Sequence, residues 1–241
     1  MKLECKDGET TLWVYDPIGP MFGPDAVTAK GVREKLASLR GISKLNVRIN
    51  SPGGEVDESM AIYTLLREFK GTVVTKVDGI AASAAATVFS AGEYRQVAQG
   101  AKVMIHNPWG IAVGDYRELQ KASDVAKQYR ADLAGVYSDR FGMKLDSALA
   151  AMDETTFYTA DEAMVAGLAT AVAEPVDGVE VGDGEALVTY AKEVARIAAC
   201  LLVADAGTEA REQLSEQALA VGRKLASMRR QLDMHLTTNR K

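Results

Sequence analysis

Three short stretches of the sequence carry residue types that together could perform acyl transfer. Ser83 stands at the start of an Ala-rich stretch, where its hydroxyl would lie among the unpaired N–H groups of a helix N-terminus. His106 can act as a base near neutral pH, which a serine nucleophile needs because its own hydroxyl is hardly ionised. Gly53 and Gly54 follow a proline, and glycine lets backbone N–H groups turn towards an oxyanion.

Each of these features also has a purely structural interpretation. Ser83 could serve as a helix N-cap, His106 could be a structural histidine at a strand end, and Gly53-Gly54 could form a simple turn. The other histidine, His235, has no visible partner in the sequence and is interpreted as a solvated side chain. The residue types alone leave these alternatives open.

Hydrophobic periodicity predicts alternating strands and helices around these residues. We expect strands at 11–15, 45–49, 73–77, 94–98, 101–105 and 168–173, and helices at 26–39, 56–69, 81–91, 115–141 and 145–152. A further helix is capped by Thr159 with Glu162 and ends at Gly167. The Asp78-Gly79 dipeptide is expected to be a turn that ends the third strand.

This order of elements predicts an α/β domain with mostly parallel strands. In such sheets the functional residues gather beyond the carboxyl ends of the strands. The 51–54 loop, the 78–83 segment and His106 each follow a strand. We therefore expect all three to lie at one edge of the sheet.

Composition narrows the classes of function. The 241 residues carry a net charge of −5, which argues against a nucleic-acid-binding surface. Cys5 and Cys200 are far apart and lack CxxC spacing, so we expect no zinc site, no disulfide framework and a reducing compartment. We also expect no metal and no cofactor. The N-terminus lacks the apolar segment of a secretory signal, and the longest apolar run, 163–173, is too short to cross a membrane. We therefore expect the cytoplasm of a bacterium or of a phage-infected host.

Three motifs give the chain a resemblance to the Clp protease proteolytic subunit family: INSPGGEV at 49–56, DGIAASAAATVFSAG at 78–92 and VMIHNPWG at 103–110. The resemblance implies a crotonase-like spiral of βαβ units, with the 115–141 helix as a handle that pairs rings. It also implies Ser83 as nucleophile and His106 as general base. The oxyanion hole would consist of the backbone N–H groups of Gly53 and Ala84.

The sequence departs from the family pattern at the third member of the triad. The family has an aspartate there, and the matching position here is Thr155, with Asp153 and Glu154 just upstream. A threonine could orient His106 through a hydrogen bond but could not stabilise the imidazolium as a carboxylate does. Asp153 is the alternative candidate for this role.

Thr155 and an added C-terminal segment make the chain similar to the phage-type branch of this family, the head maturation proteases. We expect a protease domain at 1–173, an acidic Gly-rich linker at 174–185 and a helical extension at 186–241. The resemblance implies a polypeptide substrate, homo-oligomeric rings, and a phage capsid or scaffold protein as partner. The chain contains no Walker A motif, so any ATP dependence would come from a partner.

Two other functions are compatible with the same residues. A crotonase-type enzyme acting on an acyl-CoA thioester would share the fold and the oxyanion hole. A degenerate protease that serves as a structural or scaffold partner would explain the missing acid and the added helices. Binding of CoA would favour the first, and the absence of turnover in an assembled oligomer would favour the second.

Overall fold

The computed structural model describes residues 1–6 and 9–173 of the chain. Within them a mainly parallel sheet is flanked by helices. The strands are β1 (Lys2–Lys6), β2 (Glu9–Val14), β3 (Lys44–Ser51), β4 (Thr72–Ala82), β5 (Tyr94–Ala98), β6 (Lys102–Ile105), β7 (Thr156–Thr159) and β8 (Ala171–Ala173). The helices are α1 (Ala29–Ala37), α2 (Val56–Arg67), α3 (Ala84–Ser90), α4 (Tyr116–Phe141), α5 (Leu145–Asp153) and α6 (Ala160–Val165).

The sheet runs in the order β1-β2-β3-β4-β5-β8, with β6 and β7 on a branch. The β1–β2 and β6–β7 pairs are antiparallel, and the other pairs are parallel. The predicted α/β class with mostly parallel strands is confirmed. The predicted strand at 11–15 corresponds to β2, whereas β1 and β7 were not predicted.

Strand β4 changes partner along its length. Val74–Val77 pair with β5, and Ile80–Ala82 pair with β6. Its carboxyl end therefore lies beside the carboxyl end of β6. This brings Ser83, which follows β4, next to His106, which follows β6.

The predicted turn at Asp78-Gly79 is wrong, because β4 continues through both residues to Ala82. The Asp78 carboxylate is held on the sheet by the Arg48 guanidinium of β3, at 2.6 and 2.7 Å, and by the Tyr15 hydroxyl at 2.7 Å. A Cβ at Gly79 would lie 2.6 Å from Asn50 Oδ1, so a larger residue here would have to displace the Asn50 side chain. Asp78 and Gly79 thus lie within the sheet and contact residues of neighbouring strands. The helix that follows begins at Ala84 instead of 81.

Helix α3 is buried along its whole length. The prediction that this Ala-rich helix packs tightly on all sides is confirmed. Its alanines permit neighbouring elements to approach closely. A helix that is apolar on every side is typical of the interior of a protein. Each element packed on α3 therefore helps to fix the position of its N-terminus.

Helix α4 is buried only near its C-terminal end, where Leu133, Ala134, Tyr137 and Phe141 enter the core. Gly142 ends it in the left-handed conformation, with φ 69°. The N-terminal half is exposed, and so are several apolar side chains on it and on the loop before it: Trp109, Ile111, Val113, Tyr116, Leu119 and Val125. We call these six residues the apolar stripe. Exposed apolar side chains in this number are typical of interaction surfaces.

Other predicted features are confirmed or lie outside the described residues. Thr159 and Glu162 form the predicted capping box of α6, with reciprocal hydrogen bonds. No helix in the described part of the chain is long and apolar enough to cross a membrane. The predicted linker at 174–185 and extension at 186–241 fall outside the described residues.

Candidate active site

Ser83 joins β4 to α3 in an unusual backbone conformation. Its φ is 55° and its ψ is −123°, a strained combination for a residue with a side chain and one that costs about 1–3 kcal/mol. Its N–H donates to Met104 O at 2.8 Å, which fixes the backbone against β6. The Ser83 hydroxyl makes no capping hydrogen bond to α3, so the geometry does not support an N-cap role.

His106 stands within hydrogen-bond distance of Ser83, with 2.7 Å between His106 Nε2 and Ser83 Oγ. The imidazole is half-buried, and burial lowers the pKa of His106 below its ordinary value of 6.5. A lowered pKa keeps the ring neutral at neutral pH. In the tautomer with its proton on Nδ1, the neutral ring can accept the hydroxyl proton at Nε2.

Gly53 packs directly against Ser83. Its φ is +94°, and a Cβ built there would overlap Ala82 O and lie 2.9 Å from both Ala84 N and Ser83 Cβ. Hydrogen bonds of 2.8 Å from Ile18 N to Gly53 O and from Glu55 N to Ile18 O hold the loop in place. The position thus excludes any side chain and sets the Gly53 backbone beside the candidate nucleophile.

Ala84 supplies a second backbone N–H at the same place. It is the first residue of α3, and the first N–H groups of a helix have no acceptor within the helix. The Gly53 and Ala84 backbones therefore lie close together beside Ser83, and each carries an N–H group. This is the type of arrangement that stabilises a developing oxyanion.

Ser51 is a site residue that the sequence interpretation missed. It is fully buried, its hydroxyl donates to Asp16 O at 2.8 Å, and it accepts from Gly53 N at 3.2 Å. Its hydroxyl thus ties the glycine loop to the segment after β2. The available signal was a serine directly before the Pro-Gly-Gly turn, at the buried end of an alternating strand.

Thr155 lies at the strand end opposite His106. The antiparallel register pairs Ile105 with Thr156, so the next step sets Thr155 across from His106. Thr155 is exposed, has φ 55°, and donates its N–H to Met152 O at 3.3 Å. Within the described residues, its side chain makes no hydrogen bond to the imidazole.

Asp153 is engaged elsewhere. Its carboxylate accepts hydrogen bonds from Arg130 and from the Asn107 amide. These two contacts lower the pKa of Asp153, so the group stays ionised. In the structure, neither Asp153 nor the Thr155 hydroxyl is hydrogen-bonded to the His106 ring.

No three of His, Cys, Asp and Glu lie close enough to hold a metal ion within residues 1–6 and 9–173. The arrangement that the described residues do form is a hydroxyl, an imidazole and two backbone donors. That set can carry out acyl transfer with protein groups alone.

The site thus combines a serine–histidine pair with a glycine loop at the carboxyl edge of a mainly parallel sheet. This combination is typical of acyl-transfer sites in α/β proteins. The family model for Clp protease matches residues 25–176, which is more than half of the sequence. The chain belongs to the Clp protease family. Membership makes it a peptidase of the hydrolase class, and proteins of this family act on polypeptides and assemble into oligomeric rings.

The fold is also similar to a solved structure, an asparagine-to-aspartate variant of ClpP1 from Listeria monocytogenes. The TM-score is 0.60 at 24% sequence identity, over 70% of this chain and 94% of that chain. This similarity shows that the chain has the fold of a Clp protease subunit. The predicted mixed α/β architecture of the Clp type is therefore confirmed, and its kinship to crotonase-type spirals stays a prediction.

Proposed function

We propose that the protein is a serine endopeptidase in which Ser83 is the nucleophile and His106 the general base. The observation that carries the proposal is the 2.7 Å contact between His106 Nε2 and Ser83 Oγ. Supporting it, Ser83 is held in a strained conformation, and its hydroxyl makes no capping hydrogen bond to α3. Such strain persists only where the surrounding structure enforces it, which is typical of functional sites.

The geometry supports a two-step acyl transfer. His106 Nε2 takes the hydroxyl proton while Ser83 Oγ forms a bond to the peptide carbonyl carbon. The oxyanion lies between the N–H groups of Gly53 and Ala84, and the C–N bond breaks as His106 protonates the leaving amine. A water molecule, activated by the same imidazole, then hydrolyses the acyl-enzyme.

The oxyanion step requires a small rearrangement at Gly53. In the structure its N–H points to Ser51 Oγ at 3.2 Å, a long contact. A substrate oxyanion would be a stronger acceptor than this hydroxyl, because hydrogen bonds to ionised groups are shorter and stronger. We therefore expect the N–H to exchange Ser51 for the oxyanion as the bond to Ser83 forms.

The lack of a carboxylate partner for His106 among the described residues bears on the rate. Within the described residues the ring has no anionic partner to stabilise the imidazolium that forms on proton transfer. We propose that Thr155 occupies the position of the family's acid without supplying its charge. The consequence is a slower peptidase than one with a complete triad.

We propose a phage capsid or scaffold protein as the substrate, and the bacterial or infected-host cytoplasm as the location. Thr155 and the added C-terminal segment support this branch of the family. Slow cleavage of an abundant, assembled substrate is compatible with an incomplete triad. Co-expression with the capsid and scaffold genes of a phage that encodes this chain should yield shortened products, absent with Ser83→Ala.

The direct test of the chemistry is substitution of the nucleophile. We expect Ser83→Ala to abolish peptide cleavage and labelling by a fluorophosphonate. The matched control is Ser90→Ala, which removes the buried hydroxyl at the C-terminal end of α3, one that donates to Thr87 O at 2.7 Å. Retained labelling in Ser83→Ala would contradict the proposal.

One observation favours a second candidate, a degenerate protease that acts as a structural partner. Thr155 stands in place of the acid and makes no hydrogen bond to His106 within the described residues. This candidate predicts that the assembled wild-type oligomer binds a capsid or scaffold protein without any turnover or labelling. Labelling of the wild type would exclude it.

A further inference from the structure

Arg130 of α4 connects three elements beside the catalytic pair. Its guanidinium donates to both carboxylate oxygens of Asp153 at the end of α5, through Nη2 at 2.8 and 2.9 Å. Its Nε donates to Asn107 Oδ1 at 3.1 Å, and Asn107 Nδ2 donates to Asp153 Oδ1 at 2.8 Å. The three side chains therefore form a closed network in which each contacts the other two. We call it the 107–130–153 network.

The network acts on the backbone of the candidate base, because Asn107 directly follows His106. Besides its side-chain contacts, Asn107 donates its N–H to Met152 O at 3.1 Å. On the other side of His106, strand β6 is held between β4 and β7. The imidazole thus projects from a backbone that is fixed before it by the sheet and after it by the network.

These three side chains make more hydrogen bonds than an ordinary surface ion pair does. Exposed pairs usually contribute little, but bidentate arginine–carboxylate contacts and networks of several groups are the exceptions. The Arg130 and Asp153 side chains are 31% and 49% exposed, so the network lies at the surface while the residue it fixes is half-buried.

We propose that Arg130 is a positioning residue for His106, acting through Asn107 and Asp153. The inference rests on the proposed serine peptidase function. In a complete triad a carboxylate orients the imidazole by contact with the ring. Here the orientation is provided through the backbone, and Asp153 contributes as an anchor for Arg130 and Asn107 without a hydrogen bond to the ring.

The test begins with Arg130→Met, which keeps a long side chain and removes its donors. We expect kcat for a peptide, and the rate of Ser83 acylation by a fluorophosphonate, to fall about tenfold, because small misplacements of a catalytic group are costly. KM should stay within about twofold, since no substrate contact is lost. Arg130→Lys keeps the positive charge but loses the planar set of guanidinium donors. Its kcat and acylation rate should lie between those of the wild type and of Arg130→Met.

The matched control is Tyr129→Phe, at the neighbouring position of the same helix. It removes a different link between α4 and another element, the 2.8 Å hydrogen bond from Tyr129 Oη to Asp57 Oδ2. It leaves every contact of Asn107 intact. We expect wild-type kcat and acylation rate from this variant.

A second measurement reports on the imidazole without depending on turnover. The chain has two histidines, so in a His235→Gln background a single ring signal in a spectrum of isotope-labelled histidine comes from His106. We expect Arg130→Met to shift and broaden that signal, and Tyr129→Phe to leave it unchanged.

The inference is overturned if Arg130→Met keeps the wild-type acylation rate and the wild-type His106 signal. It is also overturned if Tyr129→Phe causes the same losses, because the contact would then only hold α4. Failure of the proposed function has a different signature: wild type and Ser83→Ala would both remain unlabelled. In that case a changed His106 signal in Arg130→Met would still support the positioning role, and an unchanged signal would overturn it.

Discussion

At the scale of single residues, the site depends on an imidazole that is neutral where it must act. Burial lowers the pKa of His106, and within the described residues no carboxylate is hydrogen-bonded to the ring. The lowered value keeps the base unprotonated at neutral pH but makes the imidazolium of the transition state harder to form. Burial of the imidazole therefore both keeps the base neutral and limits the rate.

The first prediction concerns the pH dependence of the reaction. Because the neutral ring is the active form, kcat/KM should be constant at neutral pH and fall as His106 becomes protonated. The lowered pKa places the midpoint of this fall below the ordinary value of 6.5. A profile of kcat/KM against pH measures it, and a midpoint above that value would show that an anion faces the ring after all.

The second prediction adds the missing charge. Thr155→Asp places a carboxylate across from His106 in a backbone conformation, φ 55°, that aspartate tolerates. We expect kcat to rise about tenfold, and the acid midpoint to move to higher pH, because an anion stabilises the imidazolium.

Its control is Thr155→Asn, which has the shape of aspartate without the charge. Asparagine should leave the midpoint where the wild type has it. Equal rates from the aspartate and asparagine variants would show that this position does not act on the imidazole.

At the scale of elements, the site is assembled by one strand that changes partners. Because the carboxyl end of β4 pairs with β6, two residues 23 positions apart in sequence come within hydrogen-bond distance. The glycine loop after β3 closes against the same point, since Gly53 has no side chain to keep it away. Strand ends determine the geometry, and the helices hold them in place.

The third prediction tests this close approach. Gly53→Ala adds a Cβ that overlaps Ala82 O at a φ of +94°. We expect the acylation rate of Ser83 to fall about 100-fold or more as the donor moves away from the oxyanion. Mass spectrometry of the fluorophosphonate adduct against time provides the rate.

Gly100→Ala is the matched control, because Gly100 has a similar φ of +85° but nothing within 4 Å of the added Cβ. It should cost about 1 kcal/mol of stability through backbone strain and leave the acylation rate unchanged. A comparable loss of rate in both variants would mean that strain alone is responsible.

Much of this arrangement could be predicted from the sequence, since it depends on local pattern. Periodicity located β3, β5 and β6, and the glycine after Phe141 located the end of α4. Asp78-Gly79 was misjudged because local turn preference was outweighed by contacts with Arg48 and Tyr15, on neighbouring parts of the chain. The 107–130–153 network could not be predicted, because it depends on the direction in which α4 crosses the site.

At the scale of the whole molecule, the exposed side chains of α4 bear on the assembly of copies. Clp family proteins form rings, and we propose that α4 is the handle that pairs them, as the family resemblance implies. The apolar stripe supports this: Tyr116 is 78% and Val113 71% exposed in the single chain. Burial of such a stripe between copies would stabilise an assembly through the hydrophobic effect.

The fourth prediction addresses this surface. Leu119→Asp places a charge within the apolar stripe and should reduce the mass of the assembly, because burying an unpaired charge is costly. Light scattering after size-exclusion chromatography measures the mass. Ser123→Asp adds the same charge at an exposed polar position of α4 and should leave the mass unchanged.

An unchanged mass for Leu119→Asp would show that the apolar stripe is not an interface between copies. An equal loss of mass in both variants would show that added charge on α4 is enough to disrupt assembly. Only a loss confined to Leu119→Asp supports the handle role.

The most direct test of the central claim is to locate a fluorophosphonate on the intact protein by peptide mass spectrometry, in the wild type and in His106→Ala. The account predicts a single adduct on Ser83 in the wild type, and an acylation rate in His106→Ala lower by about 100-fold or more. An adduct on another residue, or equal rates in the two proteins, would contradict it.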